Sequence, residues 1–271
     1  MPYTELDDAR LYYEDSGGSG AAIVFSHGLL LDLRMFDAQV QALRGTFRCI
    51  AYDHRGQGRS TSAPMRWYDM ETCARDAARL IDSLGAAPCH FVGLSMGGFV
   101  GLWLALRRPE LLRSLTLLES SADPEPPENV PRYKMLNAIA KSLSIRLVAG
   151  RVLPILFGHS FLTDPARAAE RKLWRDRMIK NGGKVWPAVN GVIFRDGVAD
   201  AIGAIRTPTC IAVGEEDVAT IPEKSRRMHA RIPGSQFELI PRAGHSSSIE
   251  NPAAVTDLLR RFLTHVDAGR A

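Results

Sequence analysis

The sequence has only four cysteines, Cys49, Cys73, Cys89 and Cys210, and no two of them form a Cys-x-x-Cys pair. A disulfide-built scaffold is therefore not expected. Cys49, Cys89 and Cys210 sit inside apolar runs, where a reduced thiol packs as a small hydrophobe. That points to a reducing compartment and a cytoplasmic location. The excess of one charge over the other is also small: 34 Lys and Arg against 30 Asp and Glu leave a net +4. No basic stripe alternates with aromatics, so nucleic acid is set aside as a partner. No apolar run approaches the roughly 18 residues of a membrane span. The opening MPYTELDDARLYYED lacks a charged start and an apolar stretch, so no signal peptide is expected. Internal repeats and low-complexity tracts are absent as well.

What is present is a globular composition, 45% hydrophobic and 24% charged over 271 residues. That length suits one large domain, or one domain carrying an insertion. Short apolar runs recur at 21–28, 47–53, 89–95, 114–120, 209–217 and 235–241. They are nearly continuous, the pattern of strands buried on both faces of a parallel sheet. TELDDARLYYED reads as an antiparallel edge hairpin turning at Asp7-Asp8. Helical patterns fall between the runs. Asp69 to Leu84 carries Cys73, Ala77, Leu80, Ile81 and Leu84 on one face, with Gly85 as the C-terminal stop. Asn251-Pro252 starts a last helix whose buried stripe is Val255, Leu258, Leu259 and Phe262. The alternation predicts an α/β fold with a doubly wound, mostly parallel sheet. After Glu119 a proline-rich stretch, SSADPEPPENVP, breaks the rhythm and helical patterns run to about residue 200. The expected organisation is a core from 1–120 and 201–271 with a helical cap at 121–200.

Within HFVGLSMGGFVGLWLAL one serine, Ser95, stands between Gly93 and Gly97, after a strand and before a helix. Ligands of open parallel sheets bind beyond the carboxyl ends of the strands. A sharp strand-to-helix turn crowds the backbone, small residues relieve it, and the serine is lifted to a helix N-terminus that favours developing negative charge. This is the pattern of a nucleophile elbow. A serine hydroxyl needs a base, and the base needs an orienting acid. Of seven histidines, His245 follows the last strand. His90 begins the strand that leads to Ser95, at the far end of the sheet. His229 and His265 fall on helical surfaces, and His54 and His159 have no suitable strand end. His27 reads as structural. The acid expected between serine and histidine is Asp217, with Glu215 and Glu216 as neighbours and Glu119 as an alternative. An oxyanion hole would take the backbone N–H of Met96 and, from the loop His27-Gly28, that of Leu29.

On HGLLLD (27–32), YDHRGQGRS (52–60), GLSMGG (93–98), PTCIAVGEED (208–217) and AGHSSSIENP (243–252) the chain resembles the α/β-hydrolase fold superfamily. The likeness is greatest to the capped branch of carboxylesterases, 3-oxoadipate enol-lactonases, haloperoxidase-like perhydrolases and carbon–carbon bond hydrolases. The resemblance implies Ser95 as nucleophile, Asp217 as acid and His245 as base, and the insertion as a cap that selects substrate. It implies an ester or lactone substrate and no metal or organic cofactor. Dehalogenases and epoxide hydrolases of this fold carry Asp at the elbow, so Ser95 implies acyl chemistry. A ligand receptor with slow turnover is the competing class. The expected pocket lining is Met135, Leu136, Ile139, Leu143, Leu147, Leu153, Phe157, Phe161 and Trp186. Chain-length preference, and whether the protein forms a homo-oligomer, are left open.

Overall fold

A computed structural model describes residues 2–182 and 184–269. The apolar runs become strands: β3 (Ala22–Ser26), β4 (Arg48–Tyr52), β6 (Cys89–Leu94), β7 (Leu112–Leu118), β8 (Thr209–Gly214) and β9 (Gln236–Ile240). All residues of β3, β6 and β8 are buried, as continuous apolar runs require. The edge hairpin forms from β1 (Tyr3–Glu5) and β2 (Ala9–Asp15), and a two-residue β5 (Thr61–Ser62) that the sequence pattern does not signal pairs with β2. Among the described residues the sheet order is β1-β2-β4-β3-β6-β7-β8-β9, antiparallel at β1 and β2 and parallel from β4 to β9.

The winding reverses at β3. The chain steps from β3 outward to β4, then crosses back to lay β6 on the other side of β3, with Ser26 in register with Gly93. Such a switch point opens a crevice beyond the carboxyl ends of the two strands. The loop at His27 and the turn at Ser95 are therefore neighbours by topology.

Helices cover both faces: α1 (Asp37–Leu43), α2 (Met70–Ser83) and α3 (Met96–Arg107) precede β7. Asp69 caps α2 by accepting from the Thr72 amide, and Gly85 ends it at φ 57°. Between β7 and β8 the described residues form helices and short helical turns: α4 (Val130–Ser142), α5 (Ala149–Leu156), α6 (His159–Thr163), α7 (Ala168–Asn181) and α8 (Trp186–Ile193). The long helical pattern over 132–153 is broken, because Ser144 turns extended and its hydroxyl accepts from the Arg146 amide. The chain ends with α9 (Pro222–Arg231), α10 (Ser247–Glu250) and α11 (Pro252–Ala268), the last capped by Asn251 on the Ala254 amide. All four cysteines are free and buried. No helix among the described residues is long and apolar enough to cross a membrane.

Residues 53–60 are fixed by their own polar groups. Asp53 accepts from the amides of Leu33 (2.9 Å) and Arg59 (2.8 Å), and the buried Arg55 pairs with Asp76 and Asp8. This ties the loop after β4 to the loop after β3, which carries Gly28 and Leu29.

Candidate active site

Ser95 sits between β6 and α3 at φ 53° and ψ −112°, a strained conformation for a residue with a side chain. The surroundings impose it. A Cβ on Gly93 would lie 2.2 Å from the Gly97 carbonyl oxygen, and one on Gly97 would lie 1.9 Å from that of Ser26. Only glycine lets α3 start this close to β3 and β6. The turn is pinned by the Ser95 amide, which donates to Leu118 O at 2.8 Å.

His245 follows β9 and its ring reaches back to the turn. Its Nδ1 lies 2.9 Å from Asp217 Oδ2 and its Nε2 lies 2.8 Å from Ser95 Oγ. A carboxylate only accepts, so Nδ1 carries the proton and donates to Asp217. Nε2 is then the acceptor for the Ser95 hydroxyl. All three side chains are buried. Burial acts to raise the Asp217 pKa, but His245 and the hydrogen bonds from Thr220 outweigh it and hold the carboxyl below its ordinary value. Thr220 gives Asp217 two bonds, amide to Oδ1 at 3.0 Å and hydroxyl to Oδ2 at 2.7 Å.

The competing acids are occupied elsewhere. Glu216 accepts from the Ser160 amide at 2.7 Å, and Glu215 faces the Arg242 amide. Glu119 is fully buried and accepts from the Gly214 amide (3.0 Å) and the Ser247 hydroxyl (2.9 Å). Burial, reinforced by Asp217, raises its pKa well above the ordinary carboxylate value.

The loop after β3 faces Ser95. His27 accepts the His54 amide at Nε2 (3.0 Å) and donates from Nδ1 to Gly28 O (2.7 Å), which makes it a brace for the loop. The loop turns back at Leu30, at φ 72°, whose amide is held by Gln57. Among the described residues the amides of Leu29 and Met96 have no protein acceptor. His90 bonds Ser114 at the opposite end of the sheet.

A cavity opens from Ser95 and His245 toward the helices between β7 and β8. Its wall includes Leu29, Met35, Leu94, Tyr133, Leu136, Ala140, Val148, Val152, Val189 and Ile193. Of the expected lining only Leu136 is on it. On α4 the inward stripe is Tyr133, Leu136, Asn137 and Ala140, at helical spacing. Met135, Ile139 and Leu143 fall off that stripe, and Leu143 is 72% exposed. Leu147 is exposed, and Leu153 packs against the core instead. Phe157 and Phe161 stack on each other at 4.8 Å inside the core, and Trp186 lies under the Lys141 ammonium, 3.6 Å from its ring centre. Three residues of the site were not expected from the sequence: Thr220, Tyr133 and the buried Glu250, which accepts from the amides of Gly158, Gly244 and Ser246. Of these only Thr220 has a local signal, a hydroxyl three residues after the acid, where it can close a turn on the carboxylate. No group of acidic, His and Cys side chains among the described residues is placed to hold a metal ion.

Fold and site together define an α/β hydrolase: the chain belongs to the alpha/beta hydrolase fold family, matched over residues 21–252. Among curated proteins it is similar to one named carbamate hydrolase RutD from Pseudomonas savastanoi, 27% identical over 89% of this chain and 93% of that one. It is 26% identical to 3-oxoadipate enol-lactonase 1 of Acinetobacter baylyi, over 90% of this chain and 89% of the other. Among solved structures, a thermophilic esterase from Thermogutta terrifontis superimposes with a TM-score of 0.88 at 31% identity, covering 98% of this chain and 97% of its own.

Proposed function

We propose that the protein is a carboxylesterase-type serine hydrolase, with Ser95 as nucleophile, His245 as base and Asp217 as orienting acid. The unbroken run of hydrogen bonds from Ser95 Oγ through the imidazole to Asp217 carries this reading. His245 takes the Ser95 proton as Oγ attacks the ester carbonyl. The developing oxyanion is received by the amides of Leu29 and Met96, each worth a few kcal/mol of barrier in a site closed to water. The alcohol leaves with the proton from His245. Water activated by the same imidazole then releases the acid. In this account the inserted helices, residues 121–200, act as the cap, and the apolar wall from Leu136 to Ile193 holds the acyl group. That similar proteins carry the names carbamate hydrolase and 3-oxoadipate enol-lactonase supports hydrolysis as the reaction class. Hydrolysis of p-nitrophenyl esters of graded chain length, with Ser95→Ala as control, tests the reading. Serine-dependent turnover is expected. Stoichiometric labelling of Ser95 without turnover would overturn it in favour of a receptor.

A further inference from the structure

One charged side chain on the cavity wall takes no part in the hydrolytic chain. Arg195 follows α8 and is 6% exposed. Its Nε donates to Asp123 O at 3.2 Å, and its Nη1 donates to Val192 O at 2.8 Å and to Glu125 Oε2 at 2.9 Å. Its Nη2 is buried and has no hydrogen-bond partner among the described residues. The guanidinium lies over the Phe99 ring, 4.3 Å from the centroid. Phe99 is one helical turn beyond the nucleophile, its amide donating to Ser95 O at 3.0 Å. Arg195 and Phe99 both line the cavity, which places this side chain in the layer next to the reacting serine. A buried N–H without an acceptor is costly in an apolar setting, and a ligand acceptor recovers that cost.

The charge around it selects the kind of acceptor. Glu125 also lines the cavity, is held by Asn129 Nδ2 at 3.0 Å, and matches the charge of Arg195. An incoming carboxylate would share one guanidinium with Glu125 and be repelled by it. A neutral carbonyl meets no such repulsion and still takes a charge-assisted bond. Lys224 adds positive charge nearby, but its Nζ turns to Ala219 O at 3.5 Å and it does not line the cavity.

We infer that Arg195 Nη2 receives a carbonyl oxygen carried on the substrate's acyl chain, beyond the scissile ester, which makes esters of oxo- and amido-acids the preferred class. This rests on the proposed acyl chemistry at Ser95 and sharpens it. The test compares p-nitrophenyl valerate, levulinate and the half-ester of glutarate, and the same three head groups on a chain two methylenes longer. In the unaltered enzyme kcat/KM for the oxo ester should exceed that for the matched alkanoate by about tenfold or more at one of the two lengths. The ratio should fall to near one in Arg195→Lys, which keeps a partner for Glu125 but loses the second nitrogen. It should do the same in the double variant Arg195→Met with Glu125→Leu, which leaves no lone buried charge. A ratio near one in the unaltered enzyme at both lengths, a preference that survives both substitutions, or faster cleavage of the half-esters would each overturn the inference. Calorimetric titration of Ser95→Ala with ethyl levulinate and ethyl valerate, and with their longer counterparts, reads the same preference without turnover. Equal affinities would sink the subsite even if esters prove not to be cleaved. Tighter oxo-ester binding without turnover would uphold it while the esterase reading falls.

Discussion

Glu119 and Ser247, 128 positions apart, are joined by a 2.9 Å hydrogen bond. Glu119 directly follows β7, and Ser247 lies two residues past the histidine. The carboxyl thus holds the histidine loop without touching the imidazole. Burial and the nearby Asp217 raise its pKa, so the folded state keeps its proton at pH values where the unfolded chain has lost it. Above the unfolded value, about 4.3, the unfolded state binds fewer protons, and stability falls with rising pH through this group until the folded value is passed. Glu119→Gln removes that cost, since its oxygen accepts from Gly214 and its amide donates to Ser247. The melting temperature of Glu119→Gln relative to the parent should rise between pH 4 and pH 8. A parent that gains on the variant over that range would contradict the assignment.

Asp217→Asn should lower kcat by about 10⁴, because an amide facing Nδ1 favours the wrong imidazole tautomer. Steady-state kinetics on a short-chain ester decides this. Glu119→Gln should stay within about tenfold of the parent; the opposite ranking would make Glu119 the acid.

Gly97→Ala should lower stability by at least about 2 kcal/mol, because its Cβ would meet the Ser26 backbone. Urea unfolding reads this directly. A neutral effect would mean that α3 can shift away from β3 freely.

Ala140→Phe fills the cavity from α4 and should reduce kcat/KM for long acyl esters at least about tenfold while sparing acetate. Leu143→Ala, three residues on but on the exposed side, should change neither. Equal effects from both would place the acyl group elsewhere.

The sheet was legible in the sequence because strands buried on both faces leave unbroken apolar runs, and β3, β6 and β8 do so without exception. The elbow was legible because its glycines answer a steric demand that is local in sequence. Asp217 lies just after β8, where strand-end logic puts it, and bonds His245, while Glu119 bonds Gly214 and Ser247 instead. The cavity wall was not legible. Hydrophobic helices between two layers carry apolar residues on several faces, and nothing local says which face meets the cavity and which meets the core. Leu136 and Leu143 lie on the same α4 segment and end on opposite sides of it. Arg195 was hidden for the same reason: its partners Asp123 and Glu125 lie about seventy residues away.

The most direct test of the central claim is hydrolysis of p-nitrophenyl esters from acetate to palmitate by the parent and by Ser95→Ala. The parent should sustain turnover and the variant should lose up to about 10⁶ in kcat, with its fold unchanged by circular dichroism. Full activity in Ser95→Ala would contradict it.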